Sequence, residues 1–192
     1  TAGGNGNLLF NVGPMPDGRI EPRQAARLKE MGDWLKRYGS SIYGTRGGPF
    51  RPGTWGASTR EGRRIYVHVY RWNGTTLQLP AIQAKILSAR VLTGGNLKYQ
   101  QTDAGLTLTL AVGSQDPIDT LIALEIDRPA LELAPVRVVL PNASLALGAQ
   151  ARASNVYRSN PQYGADRAVD GDVSTRWATD AGTKQAWLEV DM

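Results

Sequence analysis

Two hydrophobic rhythms divide the chain. Over residues 22–38 apolar side chains recur every three or four positions, at Leu28, Met31, Leu35 and Tyr38, while Lys29, Asp33, Lys36 and Arg37 fall on the opposite side. That period is one buried stripe on an α-helix. Glu21 complements the positive end of the helix dipole, Pro22 suits a first helical position whose N–H would lack a partner, and Gly39 is placed to end the helix. Ahead of it, Leu8-Leu9-Phe10-Asn11-Val12 is almost continuously apolar and runs into the turn formers Gly13-Pro14-Met15-Pro16-Asp17-Gly18. Such a run predicts a strand of a parallel sheet buried on both faces. Its strand neighbours are not found in these 192 residues, so the expectation is a piece of a larger enzyme, with its chemistry upstream of Thr1 and its last domain cut at Met192.

Beyond Gly53 the period becomes two. Ile65, Val67 and Val69 alternate with Tyr66, His68 and Tyr70, and the pattern returns at Leu106, Leu108, Leu110 and Val112 and at Ile122, Leu124 and Ile126. Trp72-Asn73-Gly74-Thr75 and Thr93-Gly94-Gly95-Asn96 read as hairpin-like turns, so residues 54–127 predict six or seven short antiparallel strands in a β-sandwich. A Gly/Pro-rich connector, residues 44–53, precedes them, and a stiffened linker with three prolines, residues 128–141, follows. Residues 142–192 are expected to form a third module, roughly a third to a half of a sandwich domain of about 100 residues or more.

Composition narrows the function classes. With 41% apolar and 20% charged residues the chain is an ordinary globular one, and no apolar run reaches membrane-spanning length. The absence of cysteine removes disulfides, thiolate metal sites and thiol nucleophiles together. A net charge of +5 could suggest nucleic acid, but the 22 basic residues are dispersed and no nucleic-acid motif is present, so no nucleic-acid partner is expected.

Few residues suggest chemistry. His68 is the sole histidine, which excludes a multi-histidine metal site and leaves one candidate base; its place in an alternating strand reads as a half-exposed sheet residue. Asp17 and Glu21 read as a turn and a helix start rather than a carboxylate pair. Trp34, Trp55, Trp177 and Trp187 read as core, whereas Trp72, beside a turn, stays open as a flat apolar surface for a sugar ring.

The ordered series Gly4-Asn5-Gly6-Asn7-Leu8-Leu9-Phe10-Asn11-Val12-Gly13-Pro14, Asp17-Gly18, Gly32-Asp33-Trp34-Leu35, Ile42-Tyr43-Gly44-Thr45-Arg46, Thr54-Trp55-Gly56 and Ile65-Tyr66-Val67-His68-Val69 resembles the end of the catalytic barrel and the C-terminal sandwich of family 29 glycoside hydrolases, the α-L-fucosidases. The resemblance spans about residues 1–127. It implies a parent enzyme, a hydrolase of fucosylated glycans that removes terminal α-L-fucose with retention, through two carboxyl groups about 5–5.5 Å apart. Both carboxyls lie on earlier barrel strands in that family, so no catalytic residue maps here and the fragment alone is expected to be inactive. Asn7 and Asn11 stand where a pocket floor would be, or else satisfy strand-end backbone groups. The upstream barrel of the same protein is the implied partner, and family habit implies a periplasmic or secreted location.

Ala151-Arg152-Ala153-Ser154-Asn155-Val156-Tyr157, Asn160-Pro161-Gln162-Tyr163, Asp170-Gly171-Asp172, Thr175-Arg176-Trp177 and Ala186-Trp187-Leu188-Glu189-Val190 resemble the discoidin-like, or coagulation factor 5/8 type C, domain, which includes family 32 carbohydrate-binding modules. That resemblance implies no cofactor for catalysis but a structural calcium held by Asp170, Asp172, Thr175 and the carbonyl of Arg167, with further ligands near the domain's end. An Asp-Gly turn braced by its own side chains is the alternative. Tyr157, Arg158 and Asn160 lie on a loop that could touch a glycan. The expected fold class is therefore mixed, mainly β: a terminal βα piece of a (β/α)8-like barrel (1–43), the connector, an antiparallel β-sandwich (54–127), the linker, and a truncated discoidin-like β-sandwich (142–192). A non-catalytic carbohydrate-binding or adhesion module built from two sandwiches is the rival reading.

Overall fold

The computed structural model describes residues 1–139, 146–172 and 174–191. The end of the expected linker, the first residues of the third module, Val173 and Met192 lie outside the described residues. The chain divides into two compact units, Thr1–Val138 and Val139–Met192.

The first unit is built around two antiparallel sheets. One has the order β1-β2-β3-β8-β5, from β1 (Arg46–Gly47), β2 (Gly56–Glu61), β3 (Arg64–Val69), β5 (Ile86–Val91) and β8 (Thr120–Ile126). The other is β4-β7-β6, from β4 (Thr76–Pro80), β6 (Lys98–Thr102) and β7 (Gly105–Thr109). Ile65, Val67, Val69, Ile122, Leu124 and Ile126 on the larger sheet and Leu77, Leu79, Leu106 and Leu108 on the smaller are all buried. Each such side chain contributes about 1.5–3 kcal/mol by leaving water, which is why the alternating apolar positions define the interior.

The two turns read as hairpins join strands of different sheets instead. The Asn73-Gly74 turn leads from β3 to β4, and Gly94-Gly95 leads from β5 to β6, so each carries the chain across the sandwich. The true hairpins are β2–β3 around Gly62, at φ 54°, and β6–β7 ahead of Gly105. Both kinds of connection use the same turn residues, so composition does not separate them.

The connector is not loose. Its Arg46–Gly47 stretch pairs with β2 as an edge strand, and Phe50 is wholly buried and bridges Val136 in parallel. Residues 128–138 likewise pack onto the sandwich. Ala130 and Leu133 are buried, and the Arg60 guanidinium donates from Nη1 to both of their carbonyls at 2.7 Å. Burial holds the Arg60 pKa below the usual arginine range.

The predicted helix forms as α1 (Pro22–Tyr38), with the Glu21 carboxylate accepting from the Gln24 backbone N–H at its start and Gly39 as its C-cap. No residue of α1 is fully buried. Trp34 and Tyr38, ring centroids 5.4 Å apart, lie on the outer side of the larger sheet, where Tyr38 packs against Tyr66, Leu121 and Ala123. The preceding strand does not form. Residues 6–13 make no ladder bond, and Leu8, Leu9 and Phe10 are 63%, 94% and 52% exposed. A strand apolar on both faces needs a neighbour on each side and cover above and below, and the sandwich offers neither.

Among its described residues the second unit contains one antiparallel pair, β9 (Gln150–Ala153) with β10 (Leu188–Asp191), joined through short 3₁₀ turns. Arg152 and Glu189 face each other across it in a two-bond ion pair. Trp187, read as core, is 53% exposed, because the described residues supply no second sheet to cover β10.

Candidate functional site

Three places in the chain bring together residues with chemical potential. The first is the outer face of the larger sheet. His68 was read as half-exposed, yet its side chain is 4% exposed and its Nδ1 lies 2.7 Å from Oδ2 of Asp119, itself 9% exposed. The physical reason is α1: the Trp34 ring lies over the imidazole, with centroids 6.3 Å apart, and closes a face that alternation alone leaves open to water. A carboxylate only accepts, so Nδ1–H donates to it. Nε2 and Asp119 Oδ1 are both buried without a hydrogen-bond partner among the described residues. Partial burial pushes the phenol of the neighbouring Tyr70 up, and the Asp119 charge adds to that shift.

Asp119 did not emerge from the sequence. It precedes β8 by one residue, in a loop where Asp116 Oδ1 accepts from the backbone N–H of both Ile118 and Asp119, and only the register of β3 against β8, with His68 opposite Leu121, brings it to the histidine. Trp72, the candidate stacking surface, is half-buried, and its indole Nε1 donates to Thr120 Oγ1 at 3.2 Å. That bond ties the turn to β8 and gives Trp72 a structural task. The pair has a geometry that could orient a base, but no nucleophile is bonded to it among the described residues, and imidazole and acid are both shut from solvent.

The second place is the N-terminal stretch. Asn7 and Asn11 are both exposed and are not brought against any other candidate residue. Asn5, not singled out by the sequence, does the anchoring: its Oδ1 accepts from the Gly47 backbone N–H at 2.6 Å, and its own φ is 58°.

The third place is the loop system of the second unit. Thr175 Oγ1 lies 2.9 and 2.8 Å from the two carboxylate oxygens of Asp170, 2.9 Å from the Asp172 carbonyl and 3.4 Å from the Arg167 carbonyl. The four residues named from sequence therefore converge on one hydroxyl. Asp172 Oδ1 accepts from the N–H and hydroxyl of Ser174, and Arg167 Nη1 lies 3.6 Å from Asp170 Oδ2. Among the described residues no three acidic or histidine side chains are grouped to hold a metal, so carbonyl and hydroxyl oxygens would have to complete a shell. Nearby, Tyr157 and Tyr163 meet edge to face at 5.4 Å, Arg158 lies beside Tyr157, and the Asn160 side chain is engaged as the cap of the next turn, accepting from Gln162 N–H.

The α-L-fucosidase family model matches residues 1–40. An α-L-fucosidase of Branchiostoma floridae is 39% identical over 124 residues, covering 59% of this chain and 27% of that protein. Plasma α-L-fucosidase of Rattus norvegicus is 38% identical over 72 residues, 35% of this chain and 16% of its own length. Among solved structures, α-L-fucosidase isoenzyme 1 from Paenibacillus thiaminolyticus superposes with a TM-score of 0.57 at 27% identity, covering 66% of this chain and 32% of that one. The α-L-fucosidase of Vibrio sp. strain EJY3 gives 0.55 at 27% identity, over 62% and 23%. Over these stretches the chain is similar to α-L-fucosidases, and it spans about a quarter of the length of the Branchiostoma floridae protein. These relatives do not favour the rival reading of a non-catalytic adhesion module. No helix among the described residues is long and apolar enough to cross a membrane.

Proposed function

We propose that this chain is the C-terminal part of a retaining α-L-fucosidase: the last strand and helix of its catalytic barrel, the sandwich that braces that barrel, and the start of a discoidin-like sugar-binding module. The observation that carries the reading is the combination of a family match over residues 1–40 with Leu8, Leu9 and Phe10 left exposed in that same stretch. Apolar residues at strand spacing gain their burial energy only from flanking strands, which barrel neighbours would supply. The substrate is a fucosylated glycan, and both reacting carboxyls belong to the barrel strands upstream. Assayed alone against nitrophenyl α-L-fucoside, the chain is expected to release no nitrophenol, whereas a polypeptide in which it completes a family barrel hydrolyses the substrate. Turnover by the chain alone would refute this division of labour.

The sandwich acts mechanically. Helix α1 would face the barrel on one side and the His68–Asp119 face on the other, so that pair would stiffen the support beneath the catalytic wall. The second unit would hold the enzyme on glycan-bearing surfaces, adding a second binding event to the one in the active site. The proposed periplasmic or secreted location fits such a substrate.

The loop around Thr175 fits a structural calcium. Two Asp170 oxygens, the carbonyls of Asp172 and Arg167 and the Thr175 hydroxyl lie close together, a set of hard oxygens suited to that cation. Asp170, Asp172, Thr175 and the Arg167 carbonyl would hold the ion, which would fix the loop without entering the chemistry. Calorimetric titration is expected to give saturable calcium binding with a Kd of about 10⁻⁴–10⁻³ M, weakened at least about tenfold by Asp170→Asn. No heat at millimolar calcium would remove the metal.

A further inference from the structure

The second unit has four arginines, and they fall into two kinds. Arg152 is paired with Glu189, and Arg167 with Asp166 and Asp170. Arg158 and Arg176 have no ion-pair partner among the described residues. Each lies against a tyrosine instead, Arg158 with its guanidinium carbon 5.1 Å from the Tyr157 ring centroid and Arg176 5.8 Å from that of Tyr163. Because the two tyrosines are themselves in edge-to-face contact at 5.4 Å, both guanidinium groups are held on one aromatic pair. Stacking orients a guanidinium while leaving its N–H fork free to bind an oxyanion.

The backbone beneath is arranged to the same end. Arg158 and Ser159 have φ of 51° and 52°, two successive non-glycine residues in the left-handed region, a conformation that clusters at ligand sites. The loop is fixed there by bonds from Ser159 N–H to the Val156 carbonyl, from Asn160 N–H to the Tyr157 carbonyl and from Tyr157 N–H to the Ala178 carbonyl. Asp180, the acid at hand, accepts from the Arg158 backbone N–H at 2.7 Å. Its charge braces the strained backbone, and no ion pair joins it to the Arg158 side chain.

From this geometry we infer that the Arg158–Tyr157–Tyr163–Arg176 surface binds an acidic sugar, one carrying sulfate or carboxylate groups, rather than a neutral one. The inference rests on the reading of the second unit as a sugar-binding module and adds the ligand class. The two guanidinium groups supply charge-assisted hydrogen bonds to the oxyanion, and the edges of the tyrosine pair give the ring an apolar contact.

The test uses the whole chain in calorimetric titrations with a sulfated oligosaccharide, the same oligosaccharide chemically desulfated, a uronate oligosaccharide, a neutral fucosylated oligosaccharide and vesicles containing phosphatidylserine. The acidic sugars are expected to bind at least about tenfold more tightly than the neutral ones and to weaken as salt is raised. Arg158→Ala with Arg176→Ala is expected to remove that preference. Arg158→Lys with Arg176→Lys, which keeps the charge and loses the fork, is expected to restore only part of it. The sulfate and uronate arms tell the two oxyanions apart. Equal binding of sulfated and desulfated sugars, or unchanged affinity in the double alanine variant with its melting curve intact, overturns the inference. So does binding to vesicles without binding to the acidic sugars. If only the neutral fucosylated sugar binds, the sugar-binding reading stands and the acidic specificity falls; if no sugar binds at millimolar concentration, both fall.

Discussion

Replacing His68 with alanine is expected to lower the melting temperature of the sandwich by about 10 °C. The substitution strands the Asp119 carboxylate, 9% exposed and with Oδ1 already lacking a partner among the described residues, in a space covered by Trp34. Breaking a buried pair by removing one member costs about 3–5 kcal/mol, because the remaining charge can neither be hydrated nor answered. For a unit of this size each kcal/mol corresponds to roughly 3 °C. Asp119→Ala should cost less, since it leaves an imidazole rather than a carboxylate without its partner. The double change His68→Leu with Asp119→Leu should recover much of the loss, because an apolar pair of similar volume avoids burying a carboxylate and its polar partner. Thermal unfolding of the four proteins checks the order. A His68→Ala protein melting within about 2 °C of the parent would show that the pair is not shielded as described.

Gly56→Ala is expected to be as damaging through a different cause. Gly56 opens β2 at φ 148°, opposite Val69 on β3, and a β-carbon added there would collide with the carbonyl oxygen of His68. The obstacle is backbone, so no rotamer change relieves it. Either β2 shifts away from β3 or the strand pair opens, and the displaced residue is the one that carries the imidazole. A loss of about 4 kcal/mol follows from the overpacking and the strained conformation together. Gly62→Ala is the matched control: its φ is also positive, at 54°, but nothing lies within 4 Å of the added carbon, so only about 1 kcal/mol of backbone strain is expected. Denaturant titration of both variants separates collision from strain, and equal losses would show that the approach of β3 to Gly56 is not what makes the glycine necessary.

What the sequence made legible follows from which forces are local. Helix α1 was readable because its cap, its first-turn proline and its apolar stripe all lie within 20 residues of one another, and the alternation in β3, β7 and β8 was readable for the same reason. Sheet membership was not. Asn73-Gly74 and Gly94-Gly95 carry ordinary hairpin chemistry yet cross between sheets, since which strand a turn leads to depends on pairing partners far along the chain. The burial of His68 and Tyr66 required knowing that α1 folds back over the outer face, a contact between residues more than 25 positions apart. Asp119 was hidden more deeply, because its side chain is meaningful only once β8 is set beside β3. By contrast the Arg167, Asp170, Asp172 and Thr175 group was named through the resemblance to discoidin-like domains, and its atoms come from one short loop, so their meeting needs no distant strand pairing.

Backbone amide exchange on the intact chain bears most directly on the account, in which an independently folded sandwich carries an apolar segment made to pair with strands from elsewhere. The amides of Leu9, Phe10, Asn11 and Val12 have no ladder partner, while those of Val67 and Leu124 sit in paired strands at the centre of the larger sheet. The account predicts that the first group exchanges at rates close to those of an unstructured peptide while the second is protected to the limit of global unfolding. Protection of Leu9–Val12 equal to that of β3 and β8 would contradict it, since the segment would then already have found its partners within these 192 residues.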